Sequence, residues 1–274
     1  MAKSVKEILK DNNFRFNKGY GQNFITDTNL LAAMVSDAEI TDNDVVVEIG
    51  PGAGTLTKEI AKKAKKVFAF EIDKNLEPIL KETLVDENNV EVIFKDIQKV
   101  KEDELLDIIG TKDYKVVANL PYYITTPIIM RFLESEIIPK SITIMVQKEV
   151  AERLVSKAKD EAYGAITLAI ALEGDAKLTR IVKKEMFMPI PKVDSAIVRI
   201  DVNDRYKGVD KKSVKKLIKA AFLMRRKTLV NNIESVYKLP KIEIQSILNR
   251  MGISEKVRGE ELDIEDYIKL SKII

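Results

Sequence analysis

The 274-residue sequence contains no cysteine, no histidine and no tryptophan. Without thiols or imidazoles, several chemistries are excluded together: disulfides, thiolate zinc sites, iron–sulfur ligation, cysteine nucleophiles and histidine general bases. Whatever reaction the chain performs must rest on carboxylates, amides, backbone groups, aromatic rings, Lys or Arg, and no metal site is expected. No apolar run approaches the roughly 18 residues that a membrane-spanning helix needs. No charged start followed by an apolar stretch marks a secretory signal, so the cytoplasm is the default location. Aromatic residues make up only 6% of the chain, with 11 glycines and 8 prolines, so places where these types cluster stand out.

What is present is 45% hydrophobic and 32% charged residues, enough apolar side chain for packed cores in one or two domains. The net charge of +3 hides an asymmetry: residues 201–274 hold 17 basic and 11 acidic side chains, against 29 and 32 in the rest. A larger body over residues 1–204 and a smaller basic module over 205–274 are expected, the module being where a polyanion is met.

Five β-branched or apolar runs read as strands separated by helical patterns: 45–49, 67–71, 90–94, 115–119 and 141–147. This alternation predicts a mainly parallel sheet with helices on both faces. Residues 176–182 and 195–202 read as two more strands with no helix between them, an antiparallel hairpin closing one edge. From about residue 210 the pattern becomes helical. The fold class is therefore α/β, with a seven-stranded, mostly parallel sheet and a small C-terminal helical domain.

In open sheets of this kind ligands bind beyond the carboxyl ends of the strands, and four such ends carry notable residues. After the first comes E-I-G-P-G-A-G (Glu48 to Gly54), whose alternate glycines let the backbone turn sharply and approach a ligand. It matches neither G-x-G-x-x-G nor a Walker loop, and a nicotinamide dehydrogenase is disfavoured. Glu71 closes the second strand at a distance suited to a ribose diol, although capping the next helix is an alternative. Asp96 follows the third strand, placed for an adenine amine or merely as a loop carboxylate. N-L-P-Y (Asn119 to Tyr122) ends the fourth: an amide, a backbone carbonyl and a ring can hold a planar amine, although a proline turn with a packed tyrosine is the plainer reading.

Together these motifs resemble those of class I S-adenosylmethionine-dependent methyltransferases that act on adenine. G-Q-N-F (Gly21 to Phe24), F-M-P-I-P-K-V-D-S (Phe187 to Ser195), R-R-K-T-L-V-N-N (Arg225 to Asn232) and R-G-E-E-L-D-I-E-D-Y (Arg258 to Tyr267) are similar to signatures of the KsgA-type ribosomal RNA adenine dimethyltransferases. Ile25, Ala53 and Tyr123 depart from that family's commonest residues, which touches cavity shape more than chemistry. The resemblance implies a Rossmann-like fold and S-adenosylmethionine held by Asn23, Ile25, Gly50, Gly52, Glu71, Asp96 and Asn119. It implies catalysis by Asn119 and the Leu120 carbonyl on the target amine, with Tyr122 and Phe187 stacking on the base. The implied substrate is a pair of adjacent adenines near the 3′ end of 16S rRNA in the small ribosomal subunit, acted on by a monomer. Methylation of large-subunit RNA or DNA, and a non-catalytic assembly or transcription factor, are the alternatives.

An RNA grip can be argued from the residues. Over 211–227, Lys212, Lys215, Lys216, Lys219 and Arg226 fall on one face of a continuous helix and Val214, Leu217, Ile218 and Ala221 on the other, with Arg225 adjoining. A solvated face on a core-packed helix is the plainer meaning of such a stripe.

Overall fold

In the computed structural model, which describes residues 5–12, 14, 24–25 and 27–274, the first half of the chain folds as α1 (Val5–Asp11), β1 (Phe24–Ile25), α2 (Thr28–Asp37), β2 (Val45–Ile49), α3 (Thr55–Ala61), β3 (Lys66–Phe70), α4 (Glu77–Thr83), β4 (Val90–Ile93), α5 (Glu102–Ile109), β5 (Tyr114–Asn119) and α6 (Thr125–Leu133). It continues through β6 (Ser141–Gln147), α7 (Lys148–Leu154), α8 (Ala165–Glu173), β7 (Gly174–Val182), β8 (Phe187–Met188), β9 (Ser195–Val202), α9 (Lys211–Ala221), α10 (Leu229–Tyr237), α11 (Lys241–Arg250) and α12 (Ile264–Ser271).

Seven strands form one sheet in the order β4-β3-β2-β5-β6-β9-β7. β2 is fully paired on both sides in parallel register, Val47 facing Phe68 of β3 and Val116 of β5. Val46 and Val47 are wholly buried, as a central parallel strand covered on both faces requires. From β2 the chain adds β3 and β4 on one side, then crosses to β5 and β6 on the other. The strand order thus reverses between β2 and β5, where the carboxyl ends open a crevice.

The two strands expected to close one edge are neighbours there: β9 pairs antiparallel with β6, from Ser141 facing Asp201 to Gln147 facing Ser195, and β7 lies beside it at the edge. A second sheet of two residues per strand pairs β1 with β8. Runs that short have no periodicity to read.

The chain divides into two compact units, residues 1–151 with 177–202, and residues 152–176 with 203–274. The boundary expected near 204 falls at 202/203, but the second unit also takes in 152–176, which belongs with the C-terminal helices. The reason lies in α8, which is apolar nearly all round: Leu168 and Leu172 share a core with Val214, Leu217, Ile233 and Leu248. In the first unit, α2 and α3 pack on Val46, Val67 and Val117, while α1 and α4 pack against Val90 and Val92.

Candidate active site

The turn after β2 is built on three glycines at positive φ, Gly50 (67°), Gly52 (58°) and Gly54 (81°), a region costly for any residue with a Cβ. The Gly50 N–H donates to the Phe70 carbonyl at 2.9 Å and the Gly54 N–H to that of Pro51 at 2.9 Å, closing the turn. A Cβ on Gly52 would stand 2.8 Å from the Phe24 ring. This is a close-approach turn rather than an ordinary strand-to-helix connection.

Glu71, just beyond β3, is buried and gathers three backbone donors. Its Oε1 accepts from the Ile72 N–H at 2.8 Å and the Asp73 N–H at 2.9 Å, and its Oε2 from the Gly52 N–H at 3.2 Å. Burial raises its pKa, those N–H groups oppose the rise, and the Asp73 carboxylate adds to it. The capping alternative goes to Asp73 instead, whose carboxylate accepts from the Asn75 N–H at the start of the following turn. Both lone pairs of Glu71 Oε1 are thus taken, and Oε2 retains one lone-pair direction for a ligand hydroxyl.

Asp96 follows β4, and its Oδ1 accepts from the Gln98 N–H at 3.0 Å, which orders the loop. Asn119 closes β5, opposite Met145, and the Leu120 N–H donates to the Met145 carbonyl at 3.2 Å. Tyr122 opens a short turn through Ile124; its side chain, like the whole of Asn23, lies outside the described residues. Ile25 pairs with Phe187 through β1 and β8, and both side chains are buried.

These groups converge on one cavity of about 270 Å³. Ile25, Gly50, Gly52, Glu71, Asp96, Asn119, Leu120 and Phe187, the described residues of the expected cofactor and base site, all line it. Ile72, Leu76, Ile97, Gln98 and Glu48 line it as well and had not been singled out. Ile72 and Ile97 follow strand-end carboxylates directly and Gln98 comes one residue later, a positional signal that reading only charged residues misses. Glu48 sits within the buried run of β2, where a carboxyl among valines was itself a signal. With carboxylates at one end, an amide and carbonyl near Asn119 and apolar walls between, the arrangement can take a nucleoside-bearing ligand lengthwise.

A family model described as ribosomal RNA adenine dimethylase matches residues 13–274. The chain belongs to that family. Curated relatives include "Ribosomal RNA small subunit methyltransferase A" of Clostridioides difficile (strain 630), 46% identical over 274 residues, covering 99% of this chain and 95% of the relative. The protein of the same name from Bacillus pumilus (strain SAFR-032) is 42% identical, over 98% and 95%. Among solved structures, a dimethyladenosine transferase from Plasmodium falciparum superposes with a TM-score of 0.75 at 26% identity, over 90% of this chain and 95% of that one. The 23S rRNA methyltransferase ErmE, at 24% identity and a TM-score of 0.70 over 91% and 98%, shares the fold.

In this dimethylase-family chain several cations of the basic stripe are engaged within the protein. The helix ends at Ala221 rather than running to 227, because the buried Asn232 amide donates to the Ala221 carbonyl at 2.6 Å and the Met224 carbonyl at 3.2 Å. Arg225 and Arg226 therefore sit in an exposed turn, not on the α9 face. Lys215 is 2.6 Å from the buried Glu173, which Lys211 also contacts at 2.6 Å. The Lys216 ammonium lies 4.8 Å from the Tyr237 ring centroid, and Arg225 donates to the Glu161 carbonyl. Lys212, Lys219 and Arg226 are exposed. Among the described residues no helix is long and apolar enough to cross a membrane, and no group of three or more acidic side chains is arranged to hold a metal.

Proposed function

We propose that the protein transfers methyl groups from S-adenosylmethionine to the exocyclic amines of two adjacent adenines near the 3′ end of 16S rRNA, giving dimethyladenosines, and that it takes part in small-subunit biogenesis. The observation carrying this is the convergence of the glycine turn, Glu71, Asp96 and Asn119 on one cavity, in a chain of the adenine dimethylase family. The small-subunit assignment is favoured over large-subunit RNA or DNA by the names of relatives at 42–46% identity over nearly their full lengths. We place its action in the cytoplasm, as a monomer.

The residues fit this donor. Glu71 offers its remaining Oε2 lone pair to the ribose hydroxyls and Asp96 accepts from an adenine amine, while the turn at Gly50 and Gly52 brings backbone rather than side chain against the amino-acid portion and Ile25 lines the same cavity; Asn23 is a further cofactor contact in this reading. When bound, S-adenosylmethionine supplies a methyl group already activated by the sulfonium, so alignment and exclusion of water account for most of the acceleration. Asn119 and the Leu120 carbonyl accept the two N–H bonds of the target amine and draw them from the ring plane. The nitrogen lone pair is then localised and aimed for attack, a geometry favoured in the transition state over the ground state. Tyr122 and Phe187 hold the base turned out of its helix, each stack contributing about 1–3 kcal/mol.

Lys212, Lys219 and Arg226 supply the phosphate contacts in this reading, with Arg225 beside them, while Lys215 and Lys216 act mainly through Glu173 and Tyr237. Labelled S-adenosylmethionine is to be offered with unmethylated small subunits, naked 16S and 23S RNA, and DNA. Label in dimethyladenosine from the small subunit alone is the expected result; label in another nucleoside, or none, overturns the reading.

A further inference from the structure

Arg131, on α6, carries a guanidinium whose two described hydrogen bonds both go to carbonyls of the loop bearing Asp96. Its Nε donates to the Ile97 carbonyl at 3.2 Å and its Nη2 to the Val100 carbonyl at 2.5 Å. Ile97 and Val100 are buried, so these carbonyls have little access to water, and backbone acceptors in that position need a protein partner. No carboxylate pairs with Arg131 among the described residues. Its charge is directed wholly to loop backbone, which a guanidinium fork suits and a single ammonium does not.

The loop and the helix both belong to the cavity. Asp96, Ile97 and Gln98 line one end of it, and Ile124 and Ile128, at the start of α6, line another part of the wall. Ile128 and Arg131 are three residues apart on one helix face, so the face that walls the cavity also holds the loop. That helix follows directly on Asn119 to Tyr122.

We propose that Arg131 is a positioning residue for donor binding: through the Ile97 and Val100 carbonyls it sets the Asp96 loop at the nucleoside end of the cavity and ties that loop to the helix following N-L-P-Y. The inference rests on the reading of Asp96 as the adenine contact. It goes beyond that reading by giving a residue outside every motif a defined part in donor affinity. Loss of Arg131 leaves two buried carbonyls unpaired and the loop free to shift, a penalty felt by any ligand that carries adenosine, whether or not it carries a methyl group.

The test compares Arg131→Met, Arg131→Lys and Asp96→Ala in the full chain, by calorimetric titration with S-adenosylmethionine, S-adenosylhomocysteine and 5′-methylthioadenosine. Arg131→Met should weaken all three by about tenfold, the low end of what leaving its two carbonyl acceptors unpaired would allow, and Arg131→Lys by less. Turnover at saturating donor should stay within about twofold of the parent, and amide exchange over residues 97–101 should quicken while β2 and β5 stay protected. Parent affinity in Arg131→Met alongside weakened binding in Asp96→Ala would overturn the inference and leave the site reading standing. Parent affinity in Asp96→Ala would remove the reading on which the inference rests. A fall in turnover with affinities unchanged would also overturn it. If Arg131→Met does not fold, Arg131→Lys decides: weaker binding at an unchanged melting temperature supports the proposal, and parent affinity ends it.

Discussion

Replacing Glu48 by Gln tests how dry the floor of the cavity is. Glu48 is 1% exposed, and neither carboxyl oxygen has a hydrogen-bond partner. Burial pushes its pKa from 4.5 up to about 8; the Thr57 hydroxyl, close but not in hydrogen-bonding geometry, softens the rise and the Glu71 carboxylate adds to it. Below the unfolded pKa both states hold the proton and Glu48 carries no ionisation penalty. Between the unfolded and folded values the native protein keeps the proton that the unfolded chain has released, so stability falls by about 1.4 kcal/mol per pH unit. From about pH 5 to about pH 7 the loss amounts to roughly 3 kcal/mol, and it levels off once the pH passes the folded pKa. Glu48→Gln has no such proton to lose. The unfolding free energies of parent and variant, from urea titrations at matched salt, should therefore diverge by roughly 3 kcal/mol in the variant's favour over that interval. Taking the change with pH cancels any constant effect of placing an amide in the pocket. A difference that stays flat with pH would refute the desolvation argument.

The glycine turn separates binding from stability. A Cβ on Gly50 meets no atom within 4 Å and faces the cavity, so Gly50→Ala should lose only about 1–2 kcal/mol of stability for the left-handed backbone while weakening donor binding at least about tenfold. Gly54 lies off the cavity lining, and its Cβ would press on Leu80, Thr83 and Leu84 at 3.2–3.4 Å. Gly54→Ala should therefore lose about 2–5 kcal/mol in thermal unfolding. Asn119→Ala should lower turnover by about 10²-fold or more in single-turnover assays with donor affinity within about threefold, as expected for a group acting mainly in the transition state; unchanged turnover would remove its role. On the basic surface, Lys212→Glu with Arg226→Glu should reduce the slope of log affinity for small subunits against log salt by about one for each phosphate no longer neutralised. Lys215→Ala should leave that slope nearly intact and lower stability by about 1–3 kcal/mol, because it strips a counter-charge from buried Glu173.

The sequence by itself determined the class of the fold and the ends of four strands at which chemistry sits. Strand and helix periods, glycine spacing and carboxylates after apolar runs are local features, and the backbone enforces them locally. Gly50, Gly52, Glu71, Asp96, Asn119 and Leu120 were legible in this way, Ile25 and Phe187 only through the resemblance to a known family, and all of them meet in one cavity. Tertiary structure decided what depends on partners distant in the chain. Pairing of β1 with β8 brings Ile25 opposite Phe187 from the far side of the sequence, a junction too short to show a period. What a lysine in the stripe meets depends on where Glu173 and Tyr237 arrive, and the extent of α9 depends on the Asn232 amide reaching back to Ala221. Residues 152–176 join the C-terminal helices because α8 is apolar nearly all round and needs a core to enter. Arg131 reads as one more cation on an amphipathic helix until the loop at Ile97 and Val100 folds beneath it. In each case the deciding energy is burial or a hydrogen bond between groups far apart in sequence, and no local pattern records which distant group will be there.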